Sequence, residues 1–339
     1  MSERKPNLLH IGSASSRMPA EGPFIDALRR LGELTIIRDA DHMSDDERAE
    51  LIRQHDILLT IWGSMPVPAS IATDRGRLSY ICNISGELKP WIPLEIVEAG
   101  IPVTNWGDAS GHRVAEASIT LLLAAIKNLH HRIVVVREDG WQPDLERFPS
   151  GSLEQLRVGI YGFGAAGRKF AAMIRPFGPV LRVYDPYAAE LPVDCERVEQ
   201  LDELFRLSQA VVILAGLSKE TARSVTAERL AMLPDHGIVV NAARGDIIDQ
   251  EALFAELAAG RLRAGLDVLA ADDRVEPRHP ARLWPNCILT AHTLVNSRWN
   301  QDEEAILPYQ RICLDNIERH LQGRELLHRM DVNRYNRST

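Results

Sequence analysis

The run Gly162-Phe163-Gly164-Ala165-Ala166-Gly167 follows the apolar stretch RVGIY and leads directly into a helical segment from Arg168. Glycines at this spacing allow a tight turn, let backbone N–H groups approach a pyrophosphate, and let the helix pack close to the strand. The helix N-terminus adds a partial positive charge. The next apolar run, LRVYD, ends in Asp185, 23 positions after Gly162, where a dinucleotide fold places the carboxylate that accepts ribose hydroxyls. A carboxylate there repels the extra phosphate of NADP, so NAD is the expected cofactor. Arg182 should point away along its strand, and Arg168 should be a solvated helix residue. Arg244 follows the apolar run VVNAA and precedes Gly245. Its guanidinium offers a planar fork of donors to a carboxylate and polarises a neighbouring carbonyl. His292 closes the run CILTAH, where an imidazole can exchange a proton near neutral pH. A loop arginine, or any one of 11 histidines, is by itself more often structural. What singles these residues out is that all four features fall at the carboxyl ends of one strand series.

The elements that must position them alternate. NLLHIG, ELTIIR, DILLTIW and LSYICNI read as strands in the first part of the chain, with FIDALRRLG and SDDERAELIRQ as helices between them, the second capped by Ser44. A long helix is expected from Gly111 to His130, then a less regular arm with Trp141, Pro143 and Pro149. From Leu156 a second series begins: RVGIY, LRVYD, AVVILA, GIVVNAA, AGLDV and CILTAH as strands, with AGRKFAAMIRPFG and DQEALFAELAAG as helices, the latter closed by Gly260. Such alternation implies parallel, doubly wound sheets, whose ligands lie beyond the carboxyl ends of the strands.

Composition excludes several classes. A chain of 339 residues suggests about two domains. With 45% hydrophobic and 25% charged residues it is an ordinary globular chain. The net charge of −8 gives no general attraction for nucleic acid. Cys82, Cys195, Cys287 and Cys313 are far apart, which fits neither a zinc site nor a disulfide framework. No apolar stretch approaches the ~18 residues of a bilayer span, and the N-terminus has no signal-peptide core, so a cytoplasmic protein is expected.

The stretches VGIYGFGAAGRKF with Asp185, VVNAARGDIID, AGLDV and LTAH, with GIPVTN followed by HRVAEASITLLLAA, resemble the NAD-dependent D-2-hydroxyacid dehydrogenase family over nearly the whole chain. The resemblance implies an α/β protein of two doubly wound parallel-sheet domains. One is a flavodoxin-like substrate domain, residues 1–107 plus 296–339; the other is a Rossmann NAD-binding domain, residues 108–295, through which the chain forms a homodimer. NAD would be held by Gly162, Phe163, Gly164, Ala165, Ala166, Gly167, Asp185, Ala242 and Asp267, the last on the nicotinamide amide. Arg244 would bind a 2-hydroxy or 2-oxo acid, and His292 would be the general acid in reduction. Where the family carries a glutamate paired with the histidine, five positions after Asp267, this chain has Asp272, with Asp273 and Glu276 in the same lengthened segment. The family's Pro-His is Ala291-His292, and the substrate loop reads NISGELKPW. Backbone N–H groups around Ser85, Gly86 and Glu87 remain available for a carboxylate, with Glu87 opposing an anion unless it turns away. Trp62, after its strand, is either a pocket wall or core. A non-catalytic NAD-binding regulator, similar to the C-terminal-binding corepressors, is the alternative from another class; retention of Arg244 and His292 favours an enzyme.

Overall fold

β-Branched runs too short for helices form two all-parallel sheets in the computed structural model. It describes residues 4–338 apart from 139, 142–145, 147–148, 271–274 and 296–304. Asp272, Asp273, Pro143 and residues 296–304, the start of the C-terminal part expected in the substrate domain, therefore lie outside the described residues. The chain divides into two units, Met1–Ser110 with Arg298–Thr339, and Gly111–Ser297.

In the first unit β1 (Asn7–Ile11), β2 (Glu33–Ile37), β3 (Ile57–Thr60), β4 (Tyr80–Asn83) and β5 (Val103–Thr104) lie in the order β2-β1-β3-β4-β5, the flavodoxin-like winding. Successive side chains leave the sheet on opposite faces. Leu8, Ile57 and Leu59 join Phe24, Ile25 and Leu28 of α1 (Pro23–Leu31) and Cys313 and Ile317 of the helix Pro308–Leu321. Leu9 and Leu58 face the other way, toward Ala49 and Ile52 of α2 (Asp45–Arg53) and Ile96 of α3 (Leu94–Glu98). Burial on both faces explains the unbroken apolar strands. Ser44 forms the expected cap, as part of a capping box with Glu47. His10 is fully buried between the Leu59 carbonyl and the Ser16 hydroxyl. Burial lowers its pKa to about 4, so a neutral ring ties β1 to the loop that follows it.

The second unit contains α4 (Gly111–Ile126), α5 (Leu129–Arg137), β6 (Arg157–Tyr161), α6 (Ala165–Ile174), β7 (Val180–Tyr184) and β8 (Cys195–Arg197). It continues with α7 (Leu201–Leu207), β9 (Ala210–Ile213), α8 (Ala227–Met232), β10 (Ile238–Asn241), α9 (Gln250–Ala258), β11 (Arg263–Leu266) and β12 (Cys287–Leu289). The sheet order is β12-β11-β10-β9-β6-β7-β8, a Rossmann winding extended by one strand, with its switch point between β6 and β9. Val212 and Ile160 pack with α4 and α6 on one face, while Val211 and Ile213 pack with α7 and α9 on the other.

Two expectations are corrected. The single helix over residues 111–130 is two helices bent by 61°, because Asn128 takes a left-handed conformation (φ 47°) and donates from Nδ2 to the Pro149 carbonyl at 2.7 Å. The strand expected to end at His292 stops at Leu289. The two- and three-residue strands β5 and β8 are too short to give a periodic signal in sequence. Among the described residues no single helix is long and apolar enough to cross a membrane.

Candidate active site

Because every strand of the second sheet is parallel, the segments after β6, β7, β10, β11 and β12 emerge at one edge. After β6, Gly162 turns the chain at φ 95°, in contact with the backbone of Leu214 and Ala215. A Cβ at Gly167 would overlap the Gly162 carbonyl, whereas one at Gly164, which precedes α6, would meet open space. The second glycine thus leaves the approach to the helix N-terminus clear, as pyrophosphate binding requires. Phe163 contributes backbone alone, its ring lying in the core. Ala165 and Ala166 form the first turn of α6.

Asp185 braces this loop. One carboxylate oxygen accepts from the Phe163 N–H at 2.6 Å and the other from the Tyr187 N–H at 2.8 Å. Each oxygen keeps acceptor capacity. Arg182 is turned away, paired with Glu196 at 2.9 Å and donating to the Leu207 carbonyl. Arg168 is exposed, but it donates back to the Phe163 carbonyl at 3.1 Å; it is a further brace, not only a solvated residue.

Beyond β10 the buried Asn241 sets the course of the arginine loop. Its Nδ2 donates to the Arg244 carbonyl at 2.8 Å and its Oδ1 accepts from the Ala243 N–H at 3.0 Å. Ala242 lies buried inside this turn. Arg244 is half-buried, with Nη1 on the Ala243 carbonyl at 2.8 Å. The Asn241 carbonyl accepts from the Asp267 N–H at 2.9 Å, which joins the arginine loop to the next strand end.

Asp267, 1% exposed, organises the histidine turn. Its Oδ1 accepts from the Thr290 hydroxyl at 2.6 Å and from the N–H groups of Thr293 and Leu294 at 3.1 and 3.3 Å. Its main-chain carbonyl accepts from the His292 N–H at 2.6 Å. Its Oδ2 is buried with no hydrogen-bond partner. A buried, unsatisfied carboxylate oxygen is costly, so it marks a place where a donor such as an amide NH2 belongs. Ala291 and His292 are both left-handed, at φ 52° and 55°. Proline holds φ near −65°, so a proline at 291 could not form this turn; alanine permits it. His292 is exposed, and its main chain is fixed to Asp267.

In the first unit the Ser85 side chain is buried and turned inward, donating to Asn83 Oδ1 and the Glu87 carbonyl. The loop's carbonyls are engaged as well: Ser85 by Asn83 Nδ2 and the Trp106 N–H, Gly86 by Asn105, and Glu87 by Asn83. The N–H groups of Ser85, Gly86 and Glu87 have no protein acceptor among the described residues. Unpaired main-chain N–H groups are the kind of donor that anion-binding loops use.

The structure thus brings Arg244, Asp267 and His292 to one sheet edge and joins them through Asn241 and Thr290, two residues that the sequence did not single out. Asp272 lies outside the described residues. Glu276 is exposed, and its carbonyl receives the His279 N–H and Arg282 Nε. Among the described residues no group of three or more His, Cys, Asp or Glu side chains could hold a metal.

A glycine cradle at the switch point and an open buried carboxylate at the same sheet edge define an NAD-binding α/β oxidoreductase. Residues 119–293 match the D-isomer specific 2-hydroxyacid dehydrogenase NAD-binding domain, and the chain belongs to that family. It is 30% identical over 255 residues to a hydroxypyruvate reductase of Thermotoga maritima, covering 75% of this chain and 82% of that one. It is 29% identical over 301 residues to a glyoxylate reductase of Thermococcus onnurineus, covering 85% and 86%. Apo D-mandelate dehydrogenase of Rhodotorula graminis shares the fold with a TM-score of 0.78 at 22% identity, over 96% of this chain and 97% of that one.

Proposed function

We propose that this chain interconverts a 2-oxo acid and the corresponding 2-hydroxy acid, with NAD(H) as hydride carrier. The observation that carries the reading is Asp267. Its main chain fixes His292, one carboxylate oxygen holds the histidine turn, and the other is left open, in the position suited to the nicotinamide amide. NADH, when bound, supplies the hydride to C2. Arg244 pairs with the acid's carboxylate and polarises its carbonyl. His292 holds a proton on its imidazole and passes it to the carbonyl oxygen as negative charge develops there. Asp272, by its spacing from Asp267, is assigned as the carboxylate partner of the imidazole. In the first unit, the free N–H groups of Ser85, Gly86 and Glu87 are donors suited to a carboxylate. The reductases of glyoxylate and hydroxypyruvate among the relatives support an acid of this class.

The test is oxidation of NADH with a series of 2-oxo acids. NADH should outperform NADPH, and Asp185→Ala should shrink that preference, since Asp185 keeps acceptor capacity for ribose hydroxyls. Equal efficiency with both cofactors in the unmodified protein would refute the assignment of Asp185. Absence of turnover with every acid would refute the reaction.

The assembly proposed is a homodimer formed through the second unit. No residue of α5 is buried, and Leu129, Ile133, Val136 and Trp141 are all exposed, the last by 83%. So much exposed apolar surface along one segment is typical of an interface. Light scattering should give twice the chain mass, and Ile133→Glu with Val136→Glu should give the single mass; a monomeric unmodified protein would contradict the proposal.

A further inference from the structure

The strand ends of the first unit carry a cluster of aromatic rings beside the loop of free N–H groups. Trp62 follows β3, Trp106 follows β5, and Tyr309 opens the helix Pro308–Leu321. The Trp62 and Trp106 rings meet edge-on with centroids 5.2 Å apart, and Tyr309 lies 5.7 Å from Trp106 and 6.1 Å from Trp62. These are contact separations for aromatic pairs, so the rings fill the space between them. Arg17 caps the Trp62 ring at 5.8 Å.

The cluster is fixed to the loop. A Cβ on Gly86 would overlap the Trp106 indole, so the ring lies directly on the Gly86 backbone. The Trp106 N–H also donates to the Ser85 carbonyl at 3.3 Å, and Asn105 Nδ2 donates to the Gly86 carbonyl at 3.2 Å. A carboxylate on the N–H groups of Ser85, Gly86 and Glu87 therefore has the Trp106 ring as its immediate neighbour, and C3 of the same acid is only two bonds from the carboxylate carbon.

We propose that Trp106, backed by Trp62, is the size limit of the acid site, and that it restricts the substrate to 2-oxo acids whose C3 side is short: hydrogen, methyl or hydroxymethyl. This rests on the reaction proposed above. Each ring is partly buried against the other two, so a larger group enters only by displacing packed rings, which is costly.

The experiment compares kcat/KM for glyoxylate, pyruvate, hydroxypyruvate, 4-methyl-2-oxopentanoate and phenylpyruvate in the unmodified protein, Trp106→Ala and Trp62→Leu. Binding of each acid to the NADH-loaded protein is followed by isothermal titration. The short acids should exceed the branched and aromatic ones by at least tenfold. At least one variant should gain tenfold or more with phenylpyruvate, and a gain cannot arise from misfolding. Equal use of phenylpyruvate by the unmodified protein overturns the proposal, as does discrimination that neither variant relaxes. If no acid is turned over, the reaction itself is wrong; the size limit then stands only if titration shows the same order of binding, relaxed in a variant, and falls with the reaction otherwise.

Discussion

His292→Asn lowers kcat for oxo-acid reduction by about 10²-fold or more, the range of general acid–base catalysis, while the dissociation constant for NADH stays within about twofold. Asparagine is the informative replacement. His292 sits at φ 55° next to Ala291 at φ 52°, and asparagine tolerates the left-handed region, whereas alanine adds backbone strain to the loss of the imidazole. The N–H of residue 292 can still donate to the Asp267 carbonyl, so the turn should persist. Only the proton donor is removed. Arg244→Lys should lose activity by a comparable factor, because an ammonium cannot reproduce the bidentate fork. Asn241 holds that loop through main-chain atoms of Ala243 and Arg244, so the substitution leaves the loop's course intact. Steady-state kinetics with NADH binding by fluorescence checks both variants. A rate within threefold of the unmodified protein for either one would place the chemistry elsewhere.

The parts of the site that sequence makes legible are those with local signatures. Three glycines before a helix, a carboxylate at the next strand end, and an arginine and a histidine after apolar runs each carry their meaning within a few residues. Gly162, Gly164 and Asp185 take the expected places at the strand ends. The supporting network is not local. Thr290 reads as an ordinary residue beside a strand, and its role appears only when β11 and β12 pair, which brings its hydroxyl to Asp267. Asn241 likewise reads as the polar end of an apolar run. Its two hydrogen bonds are short-range, but nothing in their spacing marks the residue as the post on which the arginine loop turns. The break after α4 depends on a side-chain bond from Asn128 to Pro149, 21 positions away, so helical periodicity continues through it unmarked. At Ser85 the sequence offers main-chain N–H groups, which every residue possesses, so nothing in the residue types shows that the hydroxyl is tied inward to Asn83 and the Glu87 carbonyl. Trp62 shows the same limit, since its packing against Trp106 and Tyr309 joins residues far apart in the chain and nothing around Trp62 in sequence marks it.

Asp267→Asn should separate cofactor recognition from folding more sharply than any other single substitution. The two oxygens of this carboxylate have different tasks. Oδ1 receives three donors and shapes the turn that carries His292, while Oδ2 receives none. An asparagine can keep its oxygen on the Thr290, Thr293 and Leu294 side, because the opposite orientation would aim an NH2 at three donors. Its amide nitrogen then occupies the Oδ2 position, where two N–H bonds would confront the NH2 of a nicotinamide amide. The folded protein without cofactor loses little, since a buried acceptor that lacked a partner is exchanged for a buried donor that lacks one. The complex loses a hydrogen bond to a charged group and gains a donor–donor clash, together about 1.5–3 kcal/mol or more, which corresponds to at least a tenfold rise in the NADH dissociation constant. The melting temperature of the free protein should therefore move by only a few degrees, while the stabilisation that NADH confers at a fixed concentration falls. Asp267→Ala should behave differently, leaving the Thr290 hydroxyl and two N–H groups without an acceptor, and lowering stability even in the absence of cofactor. Thermal melts with and without NADH distinguish the two variants. If Asp267→Asn binds NADH as tightly as the unmodified protein, Oδ2 does not face the nicotinamide, and its burial without a partner has another cause.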